Sequence, residues 1–229
     1  MLLLLSMIYL IITTCITNRY GILNHEQRKD RYIYSITETL KHLPSTIIPI
    51  IVENNGKRET YLDNFYHNEK LIDVIYTTNN ICTFKNKAIN ELFDIKDVIS
   101  QVGIKDVDII IKLTGRYRVT SPIFFNKIIE NEEIKEIKEI NKQINKKHDA
   151  FLKFYNVCTY EFNQNDCILG LYAIRAQYIQ LLNHFVLEKY TSPEVAFAKF
   201  VRLNGIHCKE MDDLNVECIF SDSNIILYV

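Results

Sequence analysis

Residues 107–119 read VDIIIKLTGRYRV, and no other stretch constrains the fold as strongly. An apolar, β-branched run, Val107-Asp108-Ile109-Ile110-Ile111, stops abruptly. It meets a small turn pair, Thr114-Gly115, set in a polar, cationic cluster of Lys112, Arg116, Tyr117 and Arg118. A run so short and so apolar suits a strand covered on both faces, as in a parallel sheet. In open α/β sheets, ligands gather beyond the carboxyl ends of the strands. Two readings stay open at this point. One is a ligand site built from positive charges and a glycine; the other is a buried strand ending in a solvated basic turn.

The rest of the chain is consistent with a sheet of this kind. Its 229 residues are 48% hydrophobic, enough for one large α/β domain or two small ones. Lys and Arg number 27 against 28 Asp and Glu, which argues against a general nucleic-acid-binding surface. A local anion site stays possible. Six cysteines are scattered without a C-x-x-C pair, and no His stands at a zinc-finger spacing, so reduced thiols are expected rather than a disulfide framework or metal site. Residues 1–16, MLLLLSMIYLIITTCI, are almost wholly apolar. No Lys or Arg precedes them, and the run is short for a membrane span. The expectation is a buried first strand over 8–14 and a cytoplasmic protein, with neither membrane nor nucleic acid as a partner.

Periodicity then predicts alternating elements. Helices are expected over 28–42, 86–102, 177–190 and 192–203, and strands over 46–52, 71–76, 107–111, 149–157 and 165–175. Residues 57–69 read as a short helix. A strongly charged helix with one Ile seam is expected over 123–147, as a surface or partner-binding element. Pro49 suggests a bulge or a place near a sheet edge. Gly103 ends one helix, and Ser192-Pro193-Glu194 starts another: N-cap, Pro at the first position, Glu in the first turn. Closing strands are expected over 206–208, 216–220 and 225–229. Strand–helix units followed by a mixed tail make an α/β domain with a mainly parallel, mixed central sheet flanked by helices.

In order, the motifs are Thr13-Thr14 after the first strand, Glu53-Asn54-Asn55 after the second and Thr77-Thr78-Asn79-Asn80 after the third. Asn86-Lys87-Ala88-Ile89-Asn90-Glu91 opens a helix, and Lys112-Leu113-Thr114-Gly115-Arg116-Tyr117 follows the buried strand. Gly170, Tyr172 and Arg175 share a later strand, and Glu194 opens the last helix. Over residues 8–203 this arrangement resembles the nucleotide-diphospho-sugar transferases, the GT-A glycosyltransferase fold. It is most similar to a branch of giant viruses and some bacteria with a K-[LI]-[TS]-G-R-Y motif.

The resemblance implies a single GT-A-like domain, with a nucleotide-binding half over 8–119 and an acceptor half over 120–229. It implies transfer of a sugar from a nucleotide-diphosphate donor to a glycan, protein or lipid acceptor. Donor contacts would come from Thr13, Thr14, Arg19, Glu53, Asn86, Asn90, Gly115 and Tyr117. Glu194 resembles the catalytic base of inverting members, though a first-turn Glu is also explained by the helix dipole. The chain departs from the family at one place. The family's Asp-x-Asp pair, which holds Mg²⁺ or Mn²⁺ against the diphosphate, is replaced by a turn without any acid. The expectation is therefore no resident metal, with Lys112 and Arg116 neutralising the diphosphate in its stead. Two alternatives are a catalytically silent binding module and a nucleotidyltransferase. The latter would carry a Gly-rich basic loop after the first strand, where residues 15–21 hold one glycine.

Overall fold

A computed structural model describes residues 6–17, 24–57, 61–82, 84, 86–133, 147–154, 166–190, 192–219 and 226–229. Strand β1 (Ile8–Thr14) leads to helix α1 (His25–Lys41), and β2 (Ile47–Glu53) follows. A small hairpin, β3 (Tyr66–His67) and β4 (Lys70–Leu71), precedes β5 (Asp73–Tyr76). Then come α2 (Lys87–Val102), β6 (Ile109–Thr114), β7 (Arg118–Val119) and α3 (Ile123–Glu133). The second half holds β8 (Ala150–Leu152), β9 (Leu171–Arg175), α4 (Ala176–Leu181), α5 (His184–Glu188) and α6 (Pro193–Leu203). The last strands are β10 (Cys208–Glu210), β11 (Val216–Ile219) and β12 (Ile226–Tyr228).

Seven strands form one mixed sheet in the order β10-β8-β9-β6-β1-β2-β5. Only β9 runs against the others, pairing antiparallel with β6 and β8. Helices cover both faces. Leu10, Ile12, Ile109 and Ile111 pack with Tyr32 and Ile36 of α1 and Phe124 and Ile128 of α3. Ile11 and Ile110 pack on the other face with Ile89 and Leu92 of α2 and Phe197 of α6. Alternation along a strand feeds both cores, which is why the strands read as unbroken apolar runs. Ile109, Ile110 and Ile111 are all 0% exposed, each contributing about 1.5–3 kcal/mol of burial. The result is one α/β domain with a mostly parallel central sheet flanked by helices. A second sheet, β12-β11-β7, is antiparallel.

Pro49 stands inside β2, opposite Leu10 of β1. The edge strand β5 begins pairing only at Ile50, so the missing N–H falls before that ladder starts. Gly103 takes φ 74° as the C-cap of α2, and its N–H bonds to the Ile99 carbonyl. Ser192 caps α6 by accepting from Val195 N at 3.2 Å.

Two expectations need correction, and two others fall partly outside the described residues. Of the helix expected over 57–69, the described residues 61–69 instead form turns and the β3–β4 hairpin, with Asn68 and Glu69 at positive φ in its tight turn. The expected helix over 177–190 is two helices, broken at Leu182-Asn183, where Asn183 caps α5 through Phe185 N. The charged helix is seen over Ile123–Glu133, and residues 134–146 lie outside those described. Of the strands expected over 149–157 and 165–175, β8 and β9 are seen, with a further bridge between Phe154 and Cys167, and residues 155–165 lie outside those described. Among the described residues Cys15, Cys82, Cys167 and Cys208 form no disulfide, and no helix is long and apolar enough to cross a membrane.

Candidate functional site

Parallel pairing brings the carboxyl ends of β1, β2, β5 and β6 to one edge. Thr14 pairs with Glu53, Glu53 with Tyr76, and Thr13 with Thr114. Beyond this edge lies a narrow cleft of about 40 Å³. The strand ends supply Thr13, Thr14, Cys15, Asn54 and Arg116 to its walls, α1 supplies Arg28 and Tyr32, and α2 supplies Lys87, Asn90 and Glu91. Asn80, just beyond β5, completes it. A larger cavity of about 490 Å³ lies between α1 and residues 61–66, but none of the expected site residues reaches it. Lys41, the cation among its described lining residues, is paired with Glu38.

The cleft is cationic on one side. Arg28 is 1% exposed; its Nε donates to the Cys15 carbonyl at 3.1 Å and its Nη2 to Tyr32 Oη at 2.9 Å. Arg116 stands in the turn after β6, its carbonyl accepting from Ser35 Oγ at 2.9 Å. Its Nε is buried and has no hydrogen-bond partner. Burial opposes the Arg116 charge, yet Tyr32, Tyr117 and Glu91 hold the guanidinium above its usual range. Lys87, on the exposed first turn of α2, is held below its usual range. The surface it lies against contributes first, then repulsion from Arg116 and Arg28. Arg31 is lowered in the same way, by burial and then by Arg116 and Arg28. Burial pushes the Cys15 thiol up to about 11, so it stays protonated and is no nucleophile.

The acids at this edge are engaged by the protein. Glu53, 2% exposed, accepts from Thr14 Oγ1 at 2.9 Å, Ile16 N at 3.1 Å, Tyr61 Oη at 3.0 Å, and Asn55 through both its backbone N and its Nδ2. Glu91 pairs with Lys112 at 2.6 Å and accepts from Thr13 Oγ1 at 3.3 Å. Asp94, 0% exposed, accepts from Thr77 Oγ1 at 2.6 Å, Asn79 Nδ2 at 2.8 Å and Asn54 Nδ2 at 3.0 Å.

These contacts revise several expected roles. Lys112 was expected on the donor diphosphate. Its side chain is 2% exposed and its ammonium is spent on Glu91, Thr114 Oγ1 at 2.6 Å and the Leu169 carbonyl at 2.8 Å. Glu53 was expected on the nucleotide, but its carboxylate oxygens are filled by the five donors above. Gly115 was expected to let a ligand approach. The close approach is instead to β1, where an added Cβ would lie 2.9 Å from the Thr13 carbonyl oxygen and 3.1 Å from the Tyr32 ring. The Tyr117 ring packs on Gly170, which explains that glycine, since a Cβ there would fall 1.9 Å from the ring. Asn86 caps α2, accepting from Ala88 N at 2.9 Å, and its Nδ2 points to the Leu187 carbonyl on the α5 side. Thr13, Thr14, Asn90 and Arg116 do meet in the cleft, where the Asn90 Oδ1 is buried without a partner. Arg19 lies outside the described residues.

Glu194 stands apart from the cleft, at the start of α6. Burial raises its carboxyl, its own backbone N–H and the Ser192 hydroxyl pull the other way, Asp166 adds to the rise and Lys112 opposes it. The sequence reading missed Arg28, Lys87, Glu91 and Asp94. Arg28 and Tyr32 stand four apart on α1, a spacing that puts both on one face. Lys87, Asn90, Glu91 and Asp94 stand at three- and four-residue intervals on α2. That polar stripe beside the apolar one was the available signal.

No family model matches the sequence, and no curated protein does. Solved structures do match the fold. The CMP:2-keto-3-deoxy-manno-octonic acid synthetase complexed with CTP superposes with TM-score 0.53 at 13% identity, over 90% of this chain and 89% of that one. A protein of Desulfovibrio desulfuricans G20, named for the nucleotide-diphospho-sugar transferases, gives 0.52 at 6% identity, over 90% and 80%. This is the nucleotide-diphospho-sugar transferase fold. The glycosyltransferase GlyE of Streptococcus pneumoniae TIGR4 shares it, with TM-score 0.51 at 9% identity. The match spans 91% of this chain but 46% of GlyE. At these identities the likeness is one of fold.

The residues at this edge do not fit the metal that the fold family implies. A hard divalent ion needs open oxygen ligands, usually carboxylates. Gly115, Arg116 and Tyr117 occupy the turn after β6, and the nearby acids are filled by protein donors. Among the described residues no three His, Cys, Asp or Glu are grouped to hold a metal.

Proposed function

We propose that the protein transfers a sugar from a nucleotide-diphosphate donor to a glycan, protein or lipid acceptor. In this reading Arg116 is the principal group on the donor diphosphate, and Arg28 and Lys87 complete the cationic wall. The observation that carries it is the Arg116 Nε, buried and unpartnered in the cleft at the end of β6. A buried donor left unsatisfied costs about 1–3 kcal/mol, which a phosphate oxygen would relieve. A planar guanidinium pairs bidentately with phosphate and stays charged. As the sugar departs, negative charge grows on the nucleoside diphosphate, and fixed cations stabilise it without reorganising.

Thr13, Thr14 and Asn90 line the same cleft and serve as donor contacts. Lys112 and Glu53 become framework, holding Glu91 and Thr14 in place. Glu194 is the acceptor-side base, because a carboxyl raised by burial is matched to taking a hydroxyl proton. Its electrostatic coupling to Lys112 supports an acceptor side towards α6. A thermal-shift screen against nucleotide sugars, with and without Mn²⁺, tests the reading. Stabilisation without Mn²⁺ is expected, and Arg116→Ala should remove it and donor turnover while the protein stays folded. An Arg116→Ala protein that binds and turns over normally defeats the proposal; stabilisation that needs Mn²⁺ defeats its metal-free form.

A catalytically silent binding module is a second reading, favoured by the cleft's small volume and by the internally paired Lys112. Release of nucleoside diphosphate from the donor separates the two, since a silent module would bind without releasing it.

A further inference from the structure

We propose that Asp94 is a positioning residue for the cleft, acting through a directional chain of side-chain amides formed by Asn54, Asn55 and Asn80. The proposal rests on the reading of the cleft as a nucleotide-sugar site. Asp94 does not line the cleft. It sits one turn beyond Asn90 on α2, fully buried, and ties that helix to the ends of β2 and β5 through Asn54 and Thr77.

The direction of the chain follows from which groups donate. A carboxylate only accepts, whereas an amide has one donor end and one acceptor end. Asn54 turns its NH₂ to Asp94, which leaves its Oδ1 facing away. Asn55 Nδ2 donates to that oxygen at 3.3 Å and to Glu53 Oε1 at 2.7 Å. The Asn55 Oδ1 is thereby turned outward and accepts from Asn80 Nδ2 at 2.7 Å. Asn80 Nδ2 also donates to the Thr17 carbonyl at 2.8 Å. Two carboxylates, Asp94 and Glu53, thus set the polarity of all three amides. Asn54 and Asn80 are cleft walls, so a group that does not line the cleft decides which of their atoms faces a ligand. Chains of this kind strengthen one another when every member is satisfied.

Asp94 can also switch the chain. Burial lifts its carboxyl to about 6, against the pull of the Thr77, Asn79 and Asn54 hydrogen bonds, and Glu91 adds to the rise. On its own helix it neighbours Glu91 and Asp97, the latter bridged by Asn79 Nδ2 at 2.8 Å. Glu53, at the end of β2, meets the chain at its middle amide, Asn55. Cys15, beyond β1, keeps its proton, and the facing group on the β5 side, Thr77, does not titrate. A protonated Asp94 carries an O–H donor, which no longer demands the NH₂ of Asn54.

UDP-glucose, GDP-mannose and UDP-N-acetylglucosamine serve as probes, and titration calorimetry follows the tightest of the three. Wild-type affinity should fall roughly tenfold between about pH 7.5 and about pH 5, comparable with losing one charge-assisted hydrogen bond. Asp94→Asn should bind about tenfold more weakly at neutral pH and show no step near pH 6. Asn54→Leu breaks the first link without touching α2; it should show the same weak, flat profile even if Asp94→Asn does not fold. Variants that match the wild type in affinity and pH profile overturn the inference and leave the cleft as a nucleotide-sugar site. A wild type that binds none of the three probes overturns the cleft reading and, with it, the inference.

Discussion

Glu91→Ala and Lys112→Met should have unequal costs, because the two partners are unequally buried. The Lys112 side chain is 2% exposed and that of Glu91 27%. Removing the carboxylate strands an ammonium with two neutral acceptors, Thr114 Oγ1 and the Leu169 carbonyl. Breaking a buried pair in this way costs about 3–5 kcal/mol. Removing the ammonium leaves Glu91 able to reach water and leaves one carbonyl short of a donor, at about 1–2 kcal/mol. The double variant Glu91→Leu/Lys112→Met should be more stable than Glu91→Ala alone, since an apolar pair carries no desolvated charge. Urea unfolding followed by circular dichroism measures all three. The reasoning fails if Lys112→Met is the costlier single change, or if Glu91→Ala costs less than about 1 kcal/mol. The same series bears on function. A Lys112 that held phosphate directly would lose nucleotide-sugar affinity on substitution at unchanged stability; a framework Lys112 loses stability first.

Gly115→Ala should cost about 1–3 kcal/mol in the same unfolding assay, because the new methyl meets the β1 backbone at 2.9 Å and backbone cannot step aside. Ser192→Ala should cost about 1 kcal/mol through the lost N-cap bond to Val195. Asp94 makes stability depend on pH. Its folded value of about 6 lies above its ordinary 3.8, so its contribution is complete below 3.8 and is lost as pH rises through about 6. That gap corresponds to about 3 kcal/mol. Melting temperatures from about pH 4 to about pH 7 should show this decline in the wild type and not in Asp94→Asn.

Much of the fold was legible in the sequence because burial on both faces leaves a direct trace. Ile109-Ile110-Ile111 could hardly belong to anything but a central strand, and Asn86, Gly103 and Ser192 mark helix ends through their own backbone chemistry. Short elements were not legible in the same way. Residues 57–69 have no dominant period, and two residues at positive φ, Asn68 and Glu69, settle a hairpin that propensity alone does not announce. The site was half legible. Thr13, Thr14 and Arg116, at strand ends, and Asn90, on the first turn of α2, could be placed beside the cleft from the sequence, their roles there being part of the proposal. Lys112 could not, because position 112 alternates inward towards α2 and its charge is answered by a residue 21 positions earlier. Nothing local to the K-L-T-G-R-Y turn carries that information. Arg28 was hidden for a related reason: on a helix of many charges, which one turns inward depends on the partner it finds, here the Cys15 carbonyl and Tyr32.

The K-L-T-G-R-Y turn is therefore less the organiser of the edge than one of its tenants, and α2 has the stronger claim. Its apolar stripe, Ile89, Leu92 and Ile95, seats the helix on the sheet. Its polar stripe then meets each strand end in turn. Glu91 takes the ammonium of β6 and the hydroxyl of Thr13 on β1; Asp94 takes Asn54 beyond β2 and Thr77 beyond β5. The two acids lie three residues apart, one helical turn, and together they reach all four parallel strands that end at the cleft. With those acids committed, Arg116 is left in the turn with a buried, unanswered donor, and the cleft keeps its positive wall. On the proposed reading of the cleft, an edge arranged in this way would tie anion binding to the integrity of one helix face. Damage to Glu91 or Asp94 should weaken ligand binding although Asp94 is not a cleft wall and Glu91 is itself an anion.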